Sequence, residues 1–211
     1  MRTTIITKEN QNILTPTSVL ADLLEGNKRF AEAKNEPVDY LAQVKQTVGA
    51  QFPKAVILSC IDSRVPVELI FDQSIGDIFV ARVAGNFENI DILGSMEYSC
   101  KVAGSKIVLV LGHESCGAVK AACDGVELGN ITAMLSKISP AVKLAATQVG
   151  GEVNSSNKAM VAKTVENNVL LTMDRIREKS PILKEMEEKS EIKIVGGIYY
   201  LSTGKFEILQ G

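Results

Sequence analysis

Short apolar segments alternate with segments of helical periodicity, and this alternation constrains the fold more than any other feature. Residues 55–59 form an almost uninterrupted apolar run, 106–111 form another after one lysine, and 77–83 lie between them. Runs of this kind are typical of strands buried on both faces of a parallel sheet. Because helical patterns separate them, the sequence predicts an α/β fold with a mainly parallel sheet flanked by helices.

Periodic apolar residues predict the helices around these strands. The predicted helices cover 18–34, 90–102, a segment from about 116, 131–149 with Pro140 kinking or dividing it, 158–179 and 181–189. Thr17 or Ser18 can cap the first of them. Residues 192–201 and 206–209 read as closing strands, joined by a hairpin turn through 202–204.

The length of 211 residues suits one domain with a sizeable core. We find no internal repeat, low-complexity tract or second domain in the sequence. We therefore expect residues 1–211 to form a single domain, in which about 17–48 make an N-terminal helical arm.

Charge and hydropathy exclude several classes of protein. A net charge of −2 and a pI near 5.6 provide no electrostatic footprint for nucleic acid. The longest apolar stretch, 107–111, is too short to span a bilayer, and the first eight residues lack the apolar core of a signal peptide. Four unevenly spaced cysteines do not match a disulfide framework. We expect a cytoplasmic protein with reduced thiols and neither nucleic acid nor membrane as a partner.

Side chains that commonly bind metals follow two of the predicted strands. Cys60 comes directly after 55–59, and His113, the only histidine, lies just beyond 106–111 with Cys116 close behind. If these strands are neighbours, with the second on the far side of the first, the three side chains converge at a switch point of the sheet. Two thiolates and one imidazole suit Zn²⁺, and a fourth position left for water is the catalytic pattern.

Each of these residues also has a simpler interpretation. Cys60 taken alone is more often a buried core thiol, and an isolated His-x-x-Cys pair is a weak signal. We interpret the remaining thiols, Cys100 and Cys123, as structural. The cysteine spacings match no iron–sulfur run, and the absence of a C-x-x-C motif argues against thioredoxin-like chemistry.

Asp62 and Arg64 follow Cys60 closely enough to take part in the same site. A carboxylate beside Zn²⁺ either binds the metal or accepts a hydrogen bond from its water. Arg64 can hold Asp62 in a charge-assisted pair and keep it ionised. Without the cysteine, an ordinary turn with a surface arginine would be the better interpretation.

Several motifs together resemble the β-class carbonic anhydrases. They are C-I-D-S-R at 60–64, G-D-I-F-V-A-R-V-A-G-N at 76–86, G-H-E-S-C-G at 112–117, L-E-G-N-K-R-F at 24–30 and G-G-I-Y-Y at 196–200. The similarity extends in order from about residue 18 to the C-terminus. It implies a sheet ordered 2-1-3-4 with an extra edge strand.

The resemblance implies that one Zn²⁺ per chain is held by Cys60, His113 and Cys116, with Asp62 and Arg64 as the catalytic dyad. The implied reaction is the reversible hydration of CO₂ to bicarbonate and a proton, by attack of zinc-bound hydroxide. Because the only histidine would be a metal ligand, we expect proton release to depend on external buffer.

The plant-like branch of the family is the more similar one. By this resemblance Gln51 hydrogen-bonds the substrate, Phe79 and Tyr98 line a cleft at a dimer interface, and Gly117 offers close backbone approach. The other branch carries a tryptophan where this chain has Ile57, and uses it in a bicarbonate-inhibited state that we expect to be missing here. Family members are homodimers or dimers of dimers, whose N-terminal helices embrace the partner.

Three alternatives stay open at the level of sequence. The same scaffold can hydrolyse carbonyl sulfide or carbon disulfide. A regulatory protein can keep zinc structurally, with Asp62 as the fourth ligand. A plain α/β interaction protein would carry these cysteines by accident.

Overall fold

The computed structural model describes residues 2–209 and contains a five-stranded sheet with the order β2-β1-β3-β4-β5. The strands are β1 Ala55–Ser59, β2 Ile78–Arg82, β3 Ile107–His113, β4 Lys193–Tyr199 and β5 Phe206–Ile208. The first four strands are parallel, and β5 pairs antiparallel with β4 as the predicted hairpin. The predicted α/β class and the order 2-1-3-4 with an edge strand are both confirmed.

Ten α-helices surround the sheet in the described part of the chain. They are α1 Lys8–Ile13, α2 Pro16–Ala31, α3 Tyr40–Thr47, α4 Val67–Ile70, α5 Ile90–Glu97, α6 Gly117–Cys123, α7 Gly129–Leu135, α8 Ser139–Gln148, α9 Lys158–Lys179 and α10 Pro181–Glu188. A π-helical turn, Tyr98–Val102, continues α5. The short helices α1 and α4 were not predicted, because six and four residues are too few for a periodic pattern.

The start of α2 differs from the prediction. Thr15, rather than Thr17 or Ser18, is the N-cap: its side chain accepts a hydrogen bond from the Ser18 N–H at 3.1 Å. The Ser18 hydroxyl accepts the Thr15 N–H at 3.0 Å in return, which completes a capping box. Pro16 takes the first helical position, where its missing N–H is not needed.

The predicted helix 131–149 is two helices, α7 and α8. Pro140 lies in the first turn of α8, where a proline breaks no helical hydrogen bond. The predicted division of this segment is therefore confirmed, and the alternative of a kink is wrong, because Pro140 starts a helix.

Strand β3 extends two residues beyond the predicted end at 111. Gly112 and His113 pair with Ile198 and Tyr199 of β4, so the histidine belongs to the sheet itself. Its side chain is completely buried as a result.

Apolar side chains cover both faces of the sheet. Val165 and Val169 of α9 pack on one face, and Val19 and Leu23 of α2 pack on the other. Each such buried side chain contributes about 1.5–3 kcal/mol. Gly112 lets helix α9 pack closely against the sheet, since a Cβ at this position would come within 2.6 Å of Val169 Cγ2.

The expected N-terminal arm divides into two parts. The apolar stripe of α2 is covered by this chain's own sheet, and the Asn27 side chain links α2 to the carbonyl of Gly204 and the N–H of Phe206. In contrast, Leu41 of α3 is 74% exposed, and Val48, directly after α3, is 83% exposed. These uncovered apolar side chains lie in and next to α3, whereas the apolar stripe of α2 is covered.

Across residues 2–209, we find no helix with the length and apolar character required to cross a bilayer.

Candidate active site

Three metal-binding side chains meet at the carboxyl end of the sheet. Cys60 directly follows β1, His113 ends the neighbouring strand β3, and Cys116 precedes the first residue of α6. Their ligand atoms all lie within 4.8 Å of one another, and all three residues are buried. The topology thus gathers the three predicted zinc ligands at one point, where β1 and β3 lie side by side.

The geometry of this cluster fits a tetrahedral zinc ion. Two sulfurs that bind one zinc at 2.3 Å lie about 3.8 Å apart at the tetrahedral angle, and the Sγ atoms of Cys60 and Cys116 are 3.9 Å apart. His113 Nδ1 is 2.9 Å from the carbonyl oxygen of Glu114, so Nδ1 carries the proton and donates it.

The other imidazole nitrogen of His113, Nε2, also indicates a metal site. Nε2 is buried and has no hydrogen-bond partner within residues 2–209. Leaving a buried polar atom unsatisfied costs about 1–3 kcal/mol, and a metal ion would remove this cost. A backbone carbonyl that receives the second ring N–H is a usual means of orienting a metal-binding histidine.

Electrostatics favour a divalent cation at the cluster. The Cys116 side chain, together with a hydrogen bond from the Gly85 N–H, lowers the pKa of Cys60. The same contact and burial raise the pKa of Cys116, although backbone N–H groups in the first turn of α6 act in the opposite direction. Two adjacent thiolates repel each other, and a bound cation allows both to be deprotonated.

Asp62 lies beside the ligand cluster and is held by Arg64. The guanidinium donates from Nε to Oδ1 at 2.9 Å and from Nη2 to Oδ2 at 2.7 Å, and the Arg64 backbone N–H also donates to Oδ1. These hydrogen bonds hold the pKa of Asp62 well below its usual range. Asp62 Oδ2 is 3.9 Å from His113 Nε2, so an ionised carboxylate borders the metal position.

Two further residues shape the site, and the sequence assigned them no role. Arg82, at the end of β2, donates to the carbonyl oxygens of Cys60 at 2.9 Å and Asp62 at 2.7 Å. The Gly85 N–H donates to the Cys60 sulfur at 3.3 Å. Gly85 has φ +83°, and a Cβ there would come within 2.4 Å of Ile138 Cδ1, so any other residue would strain the backbone and displace Ile138. The signals for these two residues were the place of Arg82 near a strand end and the presence of both in the motif at 76–86.

Three of the predicted substrate-binding residues are not brought to this cluster. Phe79 is in register with Val56, which lies four residues before Cys60, or about 13 Å along the strand. Its ring is 6.3 Å from that of Tyr98, and both line a cavity of about 740 Å³ along β2. Gln51 precedes β1 and lines a separate cavity of about 410 Å³. All three lie toward the amino end of the sheet.

Gly117 does lie beside the cluster, because it directly follows Cys116 at the start of α6. A Cβ at this position would meet no atom within 4 Å, so packing within the chain does not require glycine here. The space beside it is open to a ligand.

The other two cysteines are separate from the cluster. Burial raises the pKa of Cys100 to about 12, which keeps it a neutral thiol. The Cys123 sulfur lies 3.7 Å from the hydroxyl oxygen of Thr164, between α6 and α9.

Comparisons with known proteins agree with this geometry. The family model described as carbonic anhydrase matches residues 55–206. Carbonic anhydrase 2 of Mycobacterium tuberculosis is 33% identical over 199 residues, which cover 90% of this chain and 91% of that protein. The carbonic anhydrase of Mycolicibacterium smegmatis is 30% identical over 199 residues, covering 92% of this chain and 93% of its own length.

Solved structures show the same fold. The β-carbonic anhydrase of Coccomyxa, with 27% identity, superposes with a TM-score of 0.71 and covers 90% of this chain and 86% of its own. A β-carbonic anhydrase of Sordaria macrospora superposes with a TM-score of 0.73 at 21% identity, covering 92% and 98%. With the family match, the cysteine–histidine–cysteine cluster and the strand order in agreement, the chain belongs to the β-class carbonic anhydrase family.

Proposed function

We propose that this protein catalyses the reversible hydration of CO₂ to bicarbonate and a proton, with one Zn²⁺ per chain held by Cys60, His113 and Cys116. The buried cluster of these three ligands, with an ionised carboxylate beside it, is the observation that carries the proposal. Bound zinc would supply a nucleophile at neutral pH by lowering the pKa of a water molecule.

Asp62 and Arg64 have distinct roles in this proposal. Asp62 accepts a hydrogen bond from the attacking oxygen and so orients it toward CO₂. Arg64 keeps the carboxylate ionised and holds both of its oxygens, which turns Asp62 away from direct coordination. This pairing favours an open fourth position over a structural zinc closed by Asp62.

A second copy of the chain completes the substrate cleft. Gln51, Phe79 and Tyr98 lie too far along the sheet to reach the cluster of their own chain. Strand β2 has a paired neighbour on one side only within the described residues, and the adjoining surface exposes Tyr98 by 55%. We therefore place these three residues over the metal of a second copy, in a homodimer or a dimer of dimers. The related Sordaria macrospora enzymes are tetrameric.

Stopped-flow CO₂ hydration, with zinc content measured on the same sample, tests the proposed function. We expect about one zinc per chain and catalysis that acetazolamide inhibits, since that compound is bound in the Coccomyxa structure. Carbonyl sulfide and carbon disulfide should be assayed in parallel. Stoichiometric zinc without CO₂ hydration from neutral to alkaline pH would refute the proposal.

A further inference from the structure

Asn168 of α9 is connected to the metal-binding cluster through Gly85. Its side chain is buried, and Nδ2 donates to the Gly85 carbonyl oxygen at 2.8 Å. The same glycine donates its own N–H to the Cys60 sulfur at 3.3 Å. A line of contacts thus runs from α9 through one glycine to a metal ligand.

The orientation of the Asn168 amide follows from its partner. A carbonyl oxygen can only accept, so the NH₂ group, and not Oδ1, must face Gly85. Oδ1 is buried and has no hydrogen-bond partner among residues 2–209. An unsatisfied buried acceptor costs about 1–3 kcal/mol. Val165 and Val169 on the same helix are apolar and fill the core without an unsatisfied polar atom. What Asn168 adds to the core is therefore the hydrogen bond that its Nδ2 donates.

Gly85 needs such an external contact. It has φ +83° and no side chain, so its backbone has more conformational freedom than any other residue would have there. The direction of its N–H depends on what holds the glycine in place. The hydrogen bond from Asn168 holds the carbonyl, and packing against Ile138 leaves no room for a Cβ.

We infer that Asn168 is a positioning residue for the metal centre, which holds Gly85 so that its N–H donates to the Cys60 thiolate. The inference rests on the proposed zinc site. Two thiolates offset the formal charge of Zn²⁺, and an N–H···S hydrogen bond withdraws electron density from one of them. A zinc ion held by these residues would therefore keep more of its positive charge, the property by which zinc lowers the pKa of bound water.

Asn168→Leu tests this role, and Asn167→Leu is its matched control. Asn167 is also a buried asparagine of α9, and its Nδ2 donates to Gln148 Oε1 at 2.8 Å, away from the metal-binding cluster. With Co²⁺ in place of zinc, we expect Asn168→Leu to move the thiolate-to-cobalt absorption band to lower energy. We also expect the zinc dissociation constant to rise about 10–100-fold, with neither change in Asn167→Leu.

Asn168→Ala removes the same donor without adding volume, and it must show the same band shift. A shift confined to Asn168→Leu would indicate steric displacement and overturn the inference, as would equal behaviour of Asn168→Leu and Asn167→Leu. Wild-type protein without any thiolate-to-cobalt band would instead refute the metal site itself, so the two failures are distinguishable.

Discussion

The two ends of the sheet differ in how much of the proposed active site a single chain supplies there. At the carboxyl end, one chain supplies all three ligands, each of them buried, with Asp62 already held by Arg64. At the amino end, Phe79 and Tyr98 line an open cavity beside an edge strand. The comparison teaches that one chain supplies every ligand of the proposed metal site, whereas the proposed substrate cleft requires a second copy. Variants at the two ends should therefore affect different measurements.

The largest effect is expected at the carboxyl end from Cys116→Ser. Loss of one thiolate from a three-ligand site should reduce zinc content to near zero and CO₂ hydration to the uncatalysed rate. Zinc content is measured by elemental analysis of the purified variant, and turnover by stopped flow. Cys123→Ser, at the other end of α6, is the control and should retain both. Normal zinc in Cys116→Ser would mean that the cluster is not the metal site.

Asp62→Asn should separate chemistry from metal binding at the same end of the sheet. The amide can no longer act as the ionised acceptor, so we expect turnover to fall about 10²–10⁴-fold while zinc content is unchanged. Asp174→Asn, at an exposed position on α9, controls for the loss of a negative charge. A variant with near-normal turnover would contradict the role we assign to Asp62.

At the amino end, replacing both Phe79 and Tyr98 by alanine should lower kcat/KM about 10–100-fold through lost positioning of CO₂. Zinc content should not change, because no ligand is touched. The decisive measurement mixes this double variant with Cys116→Ser under subunit exchange. If the cleft comes from the second copy, random pairing in a two-fold dimer restores about a quarter of the wild-type sites. Activity no greater than that of the separate variants would place the cleft within one chain.

The smallest effect is expected from the release of the proton that CO₂ hydration produces. His113 is the only histidine; its Nδ1 donates to the Glu114 carbonyl, and its Nε2 would bind the proposed zinc ion. No second imidazole can carry the proton to bulk water, so turnover should rise several-fold between low and high imidazole buffer at constant pH and ionic strength. Rates independent of buffer would point to another internal carrier.

The sequence predicted the strands well, because apolar runs such as those of β1 and β3 are local patterns. The two cysteines and the histidine at the ends of these strands were predicted to converge, and the structure brings them together. Helix ends were less accurate, since a capping residue such as Thr15 is defined by hydrogen-bond geometry that composition does not show.

The sequence by itself determined which residues form the proposed metal site and at which end of the sheet they lie, because strand periodicity and residue chemistry depend on local sequence. Only the tertiary structure decided that Arg82 donates to the Cys60 carbonyl and Asn168 to that of Gly85, and that Gln51, Phe79 and Tyr98 do not reach the cluster within one chain. Asn168 and Gly85 are 83 residues apart along the chain. The packing of α9 against β3, permitted by Gly112, brings such distant residues into contact.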